Sequence, residues 1–116
     1  MNALKAIAKH VYPEYRGRKL RIERADTYRL QNYWDGGSRH YIKALDLATG
    51  RVSEAAPSSG NPFNDIAHAV VAIPPGIALV EHSIFCGKDI GITVYVSNPG
   101  AIDAPGVVKA IQEQGK

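Results

Sequence analysis

Two apolar runs on either side of a short polar break constrain the fold of this chain most strongly. The segment Leu79 to Val96 reads LVEHSIFCGKDIGITVYV, with Gly87-Lys88-Asp89 in the break. Apolar, β-branched runs separated by a short glycine-containing break are typical of a β-hairpin. The pattern predicts strands over residues 77–86 and 90–96, with a turn centred on Lys88-Asp89.

Further short strands are predicted upstream of this hairpin. Leu20 to Arg24 alternates apolar and charged residues, which is typical of a half-exposed strand, and Tyr28 to Trp34 is a second candidate. The turn Asp35-Gly36-Gly37-Ser38 predicts a hairpin that leads into a strand from Arg39 to Leu47, because Asp-Gly and Gly-Gly tolerate positive φ. Residues 51–54 predict one more short strand, and the Pro/Ser-rich residues 55–67 predict a surface loop.

The two ends of the chain predict helices. Leu4, Ile7 and Val11 recur at helical spacing before Pro13, and residues 107–114 predict a terminal helix. We therefore expect an α+β fold that is mainly antiparallel β: a small sheet, barrel or sandwich with short N- and C-terminal helices. At 116 residues, the chain is expected to form a single domain over residues 1–116.

The composition excludes several classes of protein. Apolar residues make up 45% and charged residues 22% of the chain, as in ordinary globular domains. Apolar runs are far shorter than the roughly 20 residues that span a bilayer. The N-terminus does not have the features of a signal peptide, and one cysteine excludes an internal disulfide or a multi-cysteine zinc site. A cytoplasmic protein is predicted.

Positive charge is concentrated in the first half of the chain. Residues 1–58 hold eleven Lys/Arg and six Asp/Glu, whereas residues 59–116 hold three and five. The densest segment runs from Arg16 to Arg24 and favours an anionic partner, although a solvated strand face explains the same residues. The predicted partner-binding residues are Arg16, Arg18, Lys19, Arg21 and Arg24.

Alternation along the 77–86 strand predicts the orientation of its side chains. One face carries Ile77, Leu79, Glu81, Ser83 and Phe85, and is expected to be the core face. On that face Glu81 lies either at a sheet edge in water or beside an arginine. His82 is on the other face and is predicted to lie opposite Tyr95, near Thr93, either in solvent or in one wall of a pocket.

Catalysis is not predicted. His82 and Cys86 are four residues apart, which is roughly 13 Å along a strand, so they do not form a nucleophile/base pair within it. Cys86 is expected to be a buried or half-buried structural residue. The four histidines lack the spacing of a metal site, and Gly87-Lys88-Asp89 lacks the glycine-rich loop and hydroxyl residue of a phosphate-binding loop. Convergence of distant histidines stays open, and no cofactor or metal is predicted.

The hairpin around Gly37 also has the parts of a nucleotide pocket. The amides of Gly37 and Ser38 can form an anion-binding concavity, and Arg39 can bind phosphate through two hydrogen bonds. Trp34 and Tyr41 offer flat rings on which a base can stack. The same residues also make a stable hairpin with aromatic cross-strand pairs, so the structural interpretation stands beside the functional one.

Three segments carry a resemblance to a known family. At WDGGSR (Trp34 to Arg39), DLATGRV (Asp46 to Val52) and VEHSIFCGKDIGITVYV (Val80 to Val96), the chain resembles small phage and prophage proteins to which no activity is assigned. The resemblance covers roughly residues 28–97. It implies a viral protein that acts in the bacterial host cytoplasm, and it implies no catalytic residues.

The first functional hypothesis follows from this setting. In size and class the chain resembles the compact, non-enzymatic oligomers with which phages sequester nucleotide immune signals in basic pockets. Arg39 and Lys88 would then hold phosphate, while His82 and Tyr95 would donate hydrogen bonds. The predicted ligand-binding residues are Trp34, Gly37, Ser38, Arg39, Tyr41, His82, Lys88 and Tyr95.

Two other classes stay open. The basic segment could serve an anti-CRISPR-like inhibitor that binds a host defence protein or nucleoprotein complex, and the chain could be a virion accessory protein. An enzyme is the least favoured class. A homo-oligomer is expected because short strands in a small protein leave sheet edges to cover.

Overall fold

The computed structural model describes residues 3–30, 34–35, 38–54, 69–103 and 105–114. The helices in this part are α1 (Ala3–Val11) and α2 (Pro105–Gln114), with a 3₁₀ helix at Pro99–Asp103. The strands are β1 (Leu20–Arg24), β2 (Thr27–Leu30), β3 (Trp34–Asp35), β4 (Ser38–Asp46), β5 (Val52–Glu54), β6 (Ala69–Ala72), β7 (Ile77–Phe85) and β8 (Lys88–Val96). The predicted α+β class with terminal helices is confirmed; the loop predicted over residues 55–67 lies outside the described residues.

The strands form a six-stranded sheet and a two-stranded ribbon. The sheet has the order β1-β8-β7-β4-β3, and β5 also pairs with β4; the ribbon consists of β2 and β6. All of these pairs are antiparallel except β1 with β8, which is parallel. The predicted mainly antiparallel sheet is confirmed, with β1 added in parallel at one side.

The β7–β8 hairpin turns earlier in the chain than predicted. Its turn residues are Cys86 and Gly87, which both have positive φ, 51° and 78°, so that Phe85 pairs directly with Lys88. Positive φ at both central positions gives the two-residue turn that best matches strand twist. The prediction of a turn centred on Lys88-Asp89 is therefore wrong.

This earlier turn, together with a β-bulge between Ser83 and Ile84, changes which residues share a face. His82 lies opposite Ile92 and Glu81 opposite Thr93, so the predicted pairing of His82 with Tyr95 is wrong. The turn alone shifts the pairing by four residues, and the bulge reduces the shift to three for His82 and Glu81. An odd shift moves side chains to the opposite face of the sheet. His82 and Tyr95 accordingly lie on opposite faces.

Both faces of the sheet are covered. The main core lies between the sheet and the helices, where Val80 and Val94 pack with Ile7, Ile102 and other buried residues. A smaller core on the other face contains Ile42, Ile73 and Leu79, with Tyr28 and Tyr95 packed against it. The prediction that Leu79 and its neighbours form the core face is therefore wrong, because the larger core lies on the face of Ala78 and Val80.

The turn between β4 and β5 depends on a glycine beside α2. Gly50 has a φ of +76°, and a Cβ on it would lie 2.6 Å from the carbonyl oxygen of Ala110. His10 Nε2 lies 2.7 Å from the Gly50 carbonyl oxygen, so the turn contacts both helices. Gly76 has a similar φ of +87°, but a Cβ there would meet no atom within 4 Å.

These two glycines provide a matched test. Gly76→Ala should lower the free energy of unfolding by about 1–2 kcal/mol, because the left-handed conformation disfavours a Cβ. Gly50→Ala should cost at least about 1 kcal/mol more, because the new methyl group also overlaps the α2 backbone. Urea denaturation of the two variants measures the difference; equal losses would contradict the packing of this turn against α2.

Candidate functional site

A basic cleft lies between α1 and the segment of residues 12–19 that connects α1 to β1. The cleft has a volume of about 700 Å³. Its lining residues in the described part of the chain are Lys5, Ala8, Lys9, Tyr12, Pro13, Tyr15, Arg16, Gly17, Arg18 and Leu20. Four of these side chains are cationic and none is acidic, so the cleft is electrostatically suited to an anion.

Helix α1 supplies two of the four cations. Lys5 and Lys9 are one helical turn apart and exposed, while Ile7 and Ala8 are buried against the core. The sequence of α1, ALKAIAKHV, contains no acidic residue to pair with them. Like charges at this spacing disfavour a helix by roughly 0.2–0.5 kcal/mol. A bound anion would relieve this repulsion.

Tyr12 anchors the beginning of the 12–19 segment to the sheet. Its buried hydroxyl donates to the carbonyl oxygens of Val80, at 2.8 Å, and Tyr41, at 2.9 Å. Lys43 Nζ lies 5.0 Å from the centre of the Tyr12 ring. Burial raises the pKa of Tyr12 well above its ordinary value, so this hydroxyl remains a donor.

His82 and Asp89 hold the middle of the same segment. His82 Nε2 lies 2.9 Å from Asp89 Oδ1, and Asp89 Oδ2 accepts the backbone N–H of Arg16 at 2.9 Å. The Arg16 amide lowers the pKa of Asp89, and His82 acts in the same direction. The His82 ring packs 5.1 Å from Tyr12 and 5.2 Å from Tyr15, between ring centres. We call the hydrogen-bonded pair His82 and Asp89, together with its contact to the Arg16 amide, the His82–Asp89 clamp.

Close packing around Gly17 shapes the cleft wall. The Tyr15 hydroxyl donates to the Lys19 carbonyl oxygen at 2.9 Å, which folds the Tyr15 ring across Gly17. A Cβ at Gly17 would lie 2.6 Å from Tyr15 Cζ, so this approach requires a glycine. Arg16 Nη1 donates to the Pro13 carbonyl oxygen at 2.9 Å. The wall is therefore held by contacts within the segment as well as by the clamp.

The structure brings Tyr41 and His82 together as cross-strand partners, with ring centres 6.5 Å apart, and places the other described ligand-binding candidates elsewhere. Trp34 pairs with Arg39, and Asp35 with Ser38, in the β3–β4 hairpin, while Gly37 lies outside the described residues. Tyr41 on β4 and Lys88 at the start of β8 are exposed.

Two further predicted ligand-binding residues have internal roles. His82 is buried and belongs to the clamp. Tyr95 points to the other face, where its hydroxyl lies 3.4 Å from Glu81 Oε1. Joint hydrogen bonding of one ligand by His82 and Tyr95, as predicted, is incompatible with this arrangement.

The predicted partner-binding segment is divided between the two faces. Arg16 and Arg18 line the basic cleft, whereas Lys19 and Arg21 line a groove of about 190 Å³ on the opposite face, beside Glu81. Arg24 is exposed at the end of β1. A run of basic residues in the sequence therefore contributes to two separate surfaces, because Arg16 and Arg18 lie in the connecting segment beside α1 and Arg21 lies in β1.

Glu81 lies at the centre of a polar network on this opposite face. Tyr28 and Tyr95 donate to its two carboxylate oxygens, so neither prediction for Glu81, a sheet edge in water or an arginine partner, describes its hydrogen bonds. His40 Nδ1 lies 3.2 Å from Ser83 Oγ and 3.8 Å from Glu81 Oε2.

The geometry of the Glu81 network fits a structural role and does not match a catalytic relay. A Ser-His-acid relay needs the serine and the carboxylate on different ring nitrogens, whereas here both approach Nδ1 of His40. The carboxylate is instead occupied by two tyrosine hydroxyls. The network joins β2 to the centre of the sheet.

The structure also bears on the cysteine, on metal binding and on membrane-spanning helices. Cys86 is exposed in the β7–β8 turn, so the prediction of a buried or half-buried cysteine is wrong. Within the described ranges, no three His, Cys, Asp or Glu side chains lie together as a metal site would need. No helix in the described part of the chain is long and apolar enough to span a bilayer.

The comparisons with known proteins identify no relative. No family model, no curated protein and no solved structure matches the chain. The resemblance of three segments to phage proteins accordingly stays a prediction.

The sequence analysis missed two of the four cations of the cleft. Lys5 and Lys9 lie outside the basic segment, but they share one turn of a helix that contains no acid and ends shortly before that segment. The four-residue spacing of Lys5 and Lys9 on a helix without acidic residues could have indicated this basic surface. Tyr15 and Gly17, which shape the wall, had no distinctive pattern.

The clamp can be tested through a single amide. Asp89→Ala removes the acceptor of the Arg16 N–H, and we expect exchange of that amide hydrogen to accelerate roughly tenfold or more. The Ile92 amide, which donates to the Lys19 carbonyl oxygen within the sheet pairing, should keep its protection and serves as the internal control. Unchanged exchange at Arg16 would contradict the clamp.

The Glu81 network predicts a loss of stability in alkali. Burial and then the charge of Glu81 raise the pKa of Tyr95 from 10.0 to about 12. The folded protein therefore keeps a proton that the unfolded chain releases above pH 10, so this contribution is complete below pH 10 and is lost as the pH rises towards 12. Urea denaturation at pH 9 and 11.5 should show a smaller decline for Tyr95→Phe than for wild type; identical declines would refute the assignment.

Proposed function

We propose that this protein binds an anionic small molecule of nucleotide type in the basic cleft and sequesters it without cleaving it. The observation that carries the proposal is the convergence of Lys5, Lys9, Arg16 and Arg18 on one cleft whose described lining contains no acidic side chain. Cations held together without counter-charges attract a polyanion more strongly than scattered surface charges do.

The dimensions and chemistry of the cleft fit such a ligand. Its volume of about 700 Å³ lies within the range of roughly 300–1,000 Å³ that is typical of small-molecule sites. Arginine guanidinium groups can bind a phosphate through two hydrogen bonds, and lysines contribute mobile point charges. The partly exposed Tyr15 ring provides a surface for base stacking.

The cleft is partly organised before a ligand arrives. Tyr12 fixes one end of the 12–19 segment, and the His82–Asp89 clamp fixes the Arg16 backbone. The side chains of Arg16 and Arg18 are exposed, and the Arg16 guanidinium is also held by its hydrogen bond to the Pro13 carbonyl oxygen. Because the backbone is already ordered, less conformational entropy is lost when an anion binds.

The lining favours retention over turnover. Hydrolysis of a phosphate ester needs a positioned base or nucleophile, and the described lining has no histidine, carboxylate, serine or cysteine. The hydroxyls of Tyr12 and Tyr15 both donate to backbone carbonyls. A bound nucleotide would therefore leave the cleft chemically unchanged.

The biological setting is part of the same proposal. The resemblance of three segments to phage proteins supports a counter-defence protein that acts in the bacterial host cytoplasm and removes a nucleotide immune signal. The cleft supports the binding step of this role, and the phage-like segments support its setting.

Native mass spectrometry with a pool of ATP, ADP-ribose, cyclic di-AMP and cyclic di-GMP tests the proposal. We expect one nucleotide to remain bound and to be released with its mass unaltered. Lys9→Glu and Arg18→Glu should each raise the dissociation constant about tenfold or more, because each removes an ionic hydrogen bond and adds repulsion. Arg51→Glu, at an exposed position outside the cleft, is the control with the same change of charge.

Three results would contradict the proposal. The first is that none of the four nucleotides binds. The second is that Arg51→Glu weakens binding as much as the cleft variants do. The third is release of a nucleotide with an altered mass, which would indicate an enzyme.

A second candidate is an inhibitor that binds a host defence protein or nucleoprotein complex. The observation that favours it is the exposure of Lys19, Arg21 and Arg24 outside the cleft, along the outer strand β1. In this case Lys19→Glu should abolish inhibition and leave nucleotide retention unchanged. A steep fall of partner affinity with salt would accompany it.

A further inference from the structure

Strand β1 is the outermost strand on its side of the sheet. Among the described strands it pairs only with β8, and Arg21, Ile22, Glu23 and Arg24 are all exposed. Ile22 exposes 38% of its surface. An uncovered strand edge is a template for pairing with another chain.

The backbone direction of β1 follows from its bonds to β8. The Ala25 amide donates to the Val96 carbonyl oxygen, and the Lys19 carbonyl oxygen accepts from Ile92. Backbone polar groups alternate sides along a strand, so Arg21 and Glu23 also direct theirs towards β8. Leu20, Ile22 and Arg24 therefore direct their N–H and C=O groups outward, away from the sheet.

We propose that β1 pairs in antiparallel fashion with β1 of a second copy, about a two-fold axis at Ile22. In this register, Ile22 lies opposite Ile22 of the second copy as a hydrogen-bonded pair, which matches the outward direction of its N–H and C=O groups. Arg21 then lies opposite Glu23 of the second copy, and Glu23 opposite Arg21. These are non-hydrogen-bonded positions, at which cross-strand side chains are closest.

The charges of β1 select this register over its neighbours. An axis at Arg21 or at Glu23 would place that residue opposite its own copy, and an axis at Leu20 would place Arg21 opposite Lys19. Like charges directly opposite each other destabilise a strand pair. Only the axis at Ile22 joins both oppositely charged residues of the strand and covers the exposed isoleucine with its symmetry mate.

The pairing also has a consequence for the cleft. A two-fold axis perpendicular to the sheet joins the two six-stranded sheets and keeps the helices of both copies on the same side. Arg18, in the cleft wall, comes just before β1 in the chain. The two basic clefts would therefore open on one face of the dimer, at opposite ends of the paired strands. The proposal itself does not depend on what the cleft binds.

Exchanging the charges tests the register directly. Arg21→Glu alone and Glu23→Arg alone should each raise the dimer dissociation constant about tenfold or more, because two attractive cross-strand pairs become repulsive. The double exchange Arg21→Glu/Glu23→Arg should restore the wild-type constant. Sedimentation velocity over a range of protein concentrations measures these constants, and far-ultraviolet circular dichroism confirms that each exposed-site variant is folded.

Mixing the two single variants gives the sharpest result. In the mixed dimer, both acidic positions of Arg21→Glu face both basic positions of Glu23→Arg, so a heterodimer should form at concentrations where each variant alone is monomeric. Lys109→Glu, on an exposed position of α2, should dimerise as wild type does. The proposal is overturned if wild type is monomeric, if the single variants dimerise normally, or if their mixture stays monomeric.

Discussion

The attachment of residues 12–19 to the sheet is the constraint on which the candidate binding surfaces of this protein depend. Tyr12 bonds two strand carbonyls, and Asp89, held by His82, bonds the Arg16 amide. These contacts place the segment across the helix-facing side of the hairpin, where it walls the cleft. They also orient the chain so that the next residues, β1, pair with β8 in parallel. One anchor thus determines both the cleft and the exposed edge.

Much of the fold could be predicted from local pattern. Alternation predicted β1, two apolar runs predicted β7 and β8, and helical spacing predicted α1. The glycine turn predicted the start of β4, and the pair Asp35–Ser38 confirms that hairpin. The faces of the β7–β8 hairpin could not be predicted, because a β-bulge between Ser83 and Ile84 reverses them and Cys86 is not a typical residue with positive φ. The parallel pairing of β1 with β8 was also unpredictable. The two strands are far apart in the sequence, and their pairing depends on the packing of the whole core.

The candidate site shows the same division between local and long-range information. The sequence indicated an anionic partner and located Arg16 and Arg18, but it treated five basic residues as one patch that the structure divides between two surfaces. Lys5 and Lys9 come from a separate element and join the cleft only through tertiary packing. His82 drew attention as a polar residue among apolar ones; its environment makes it a positioning residue that acts through Asp89.

The most direct test is a two-dimensional amide NMR spectrum of the protein titrated with inorganic pyrophosphate, which carries phosphate charge but no base. The largest shift changes are expected at Lys5, Lys9 and residues 16–18, while the amides of the β3–β4 hairpin, on the side of the sheet away from β1, should change little. Shift changes concentrated at Trp34, Asp35, Ser38 and Arg39 would place the anion at the β3–β4 hairpin, on the opposite side of the sheet from β1. That result would contradict the assignment of the cleft as the binding site.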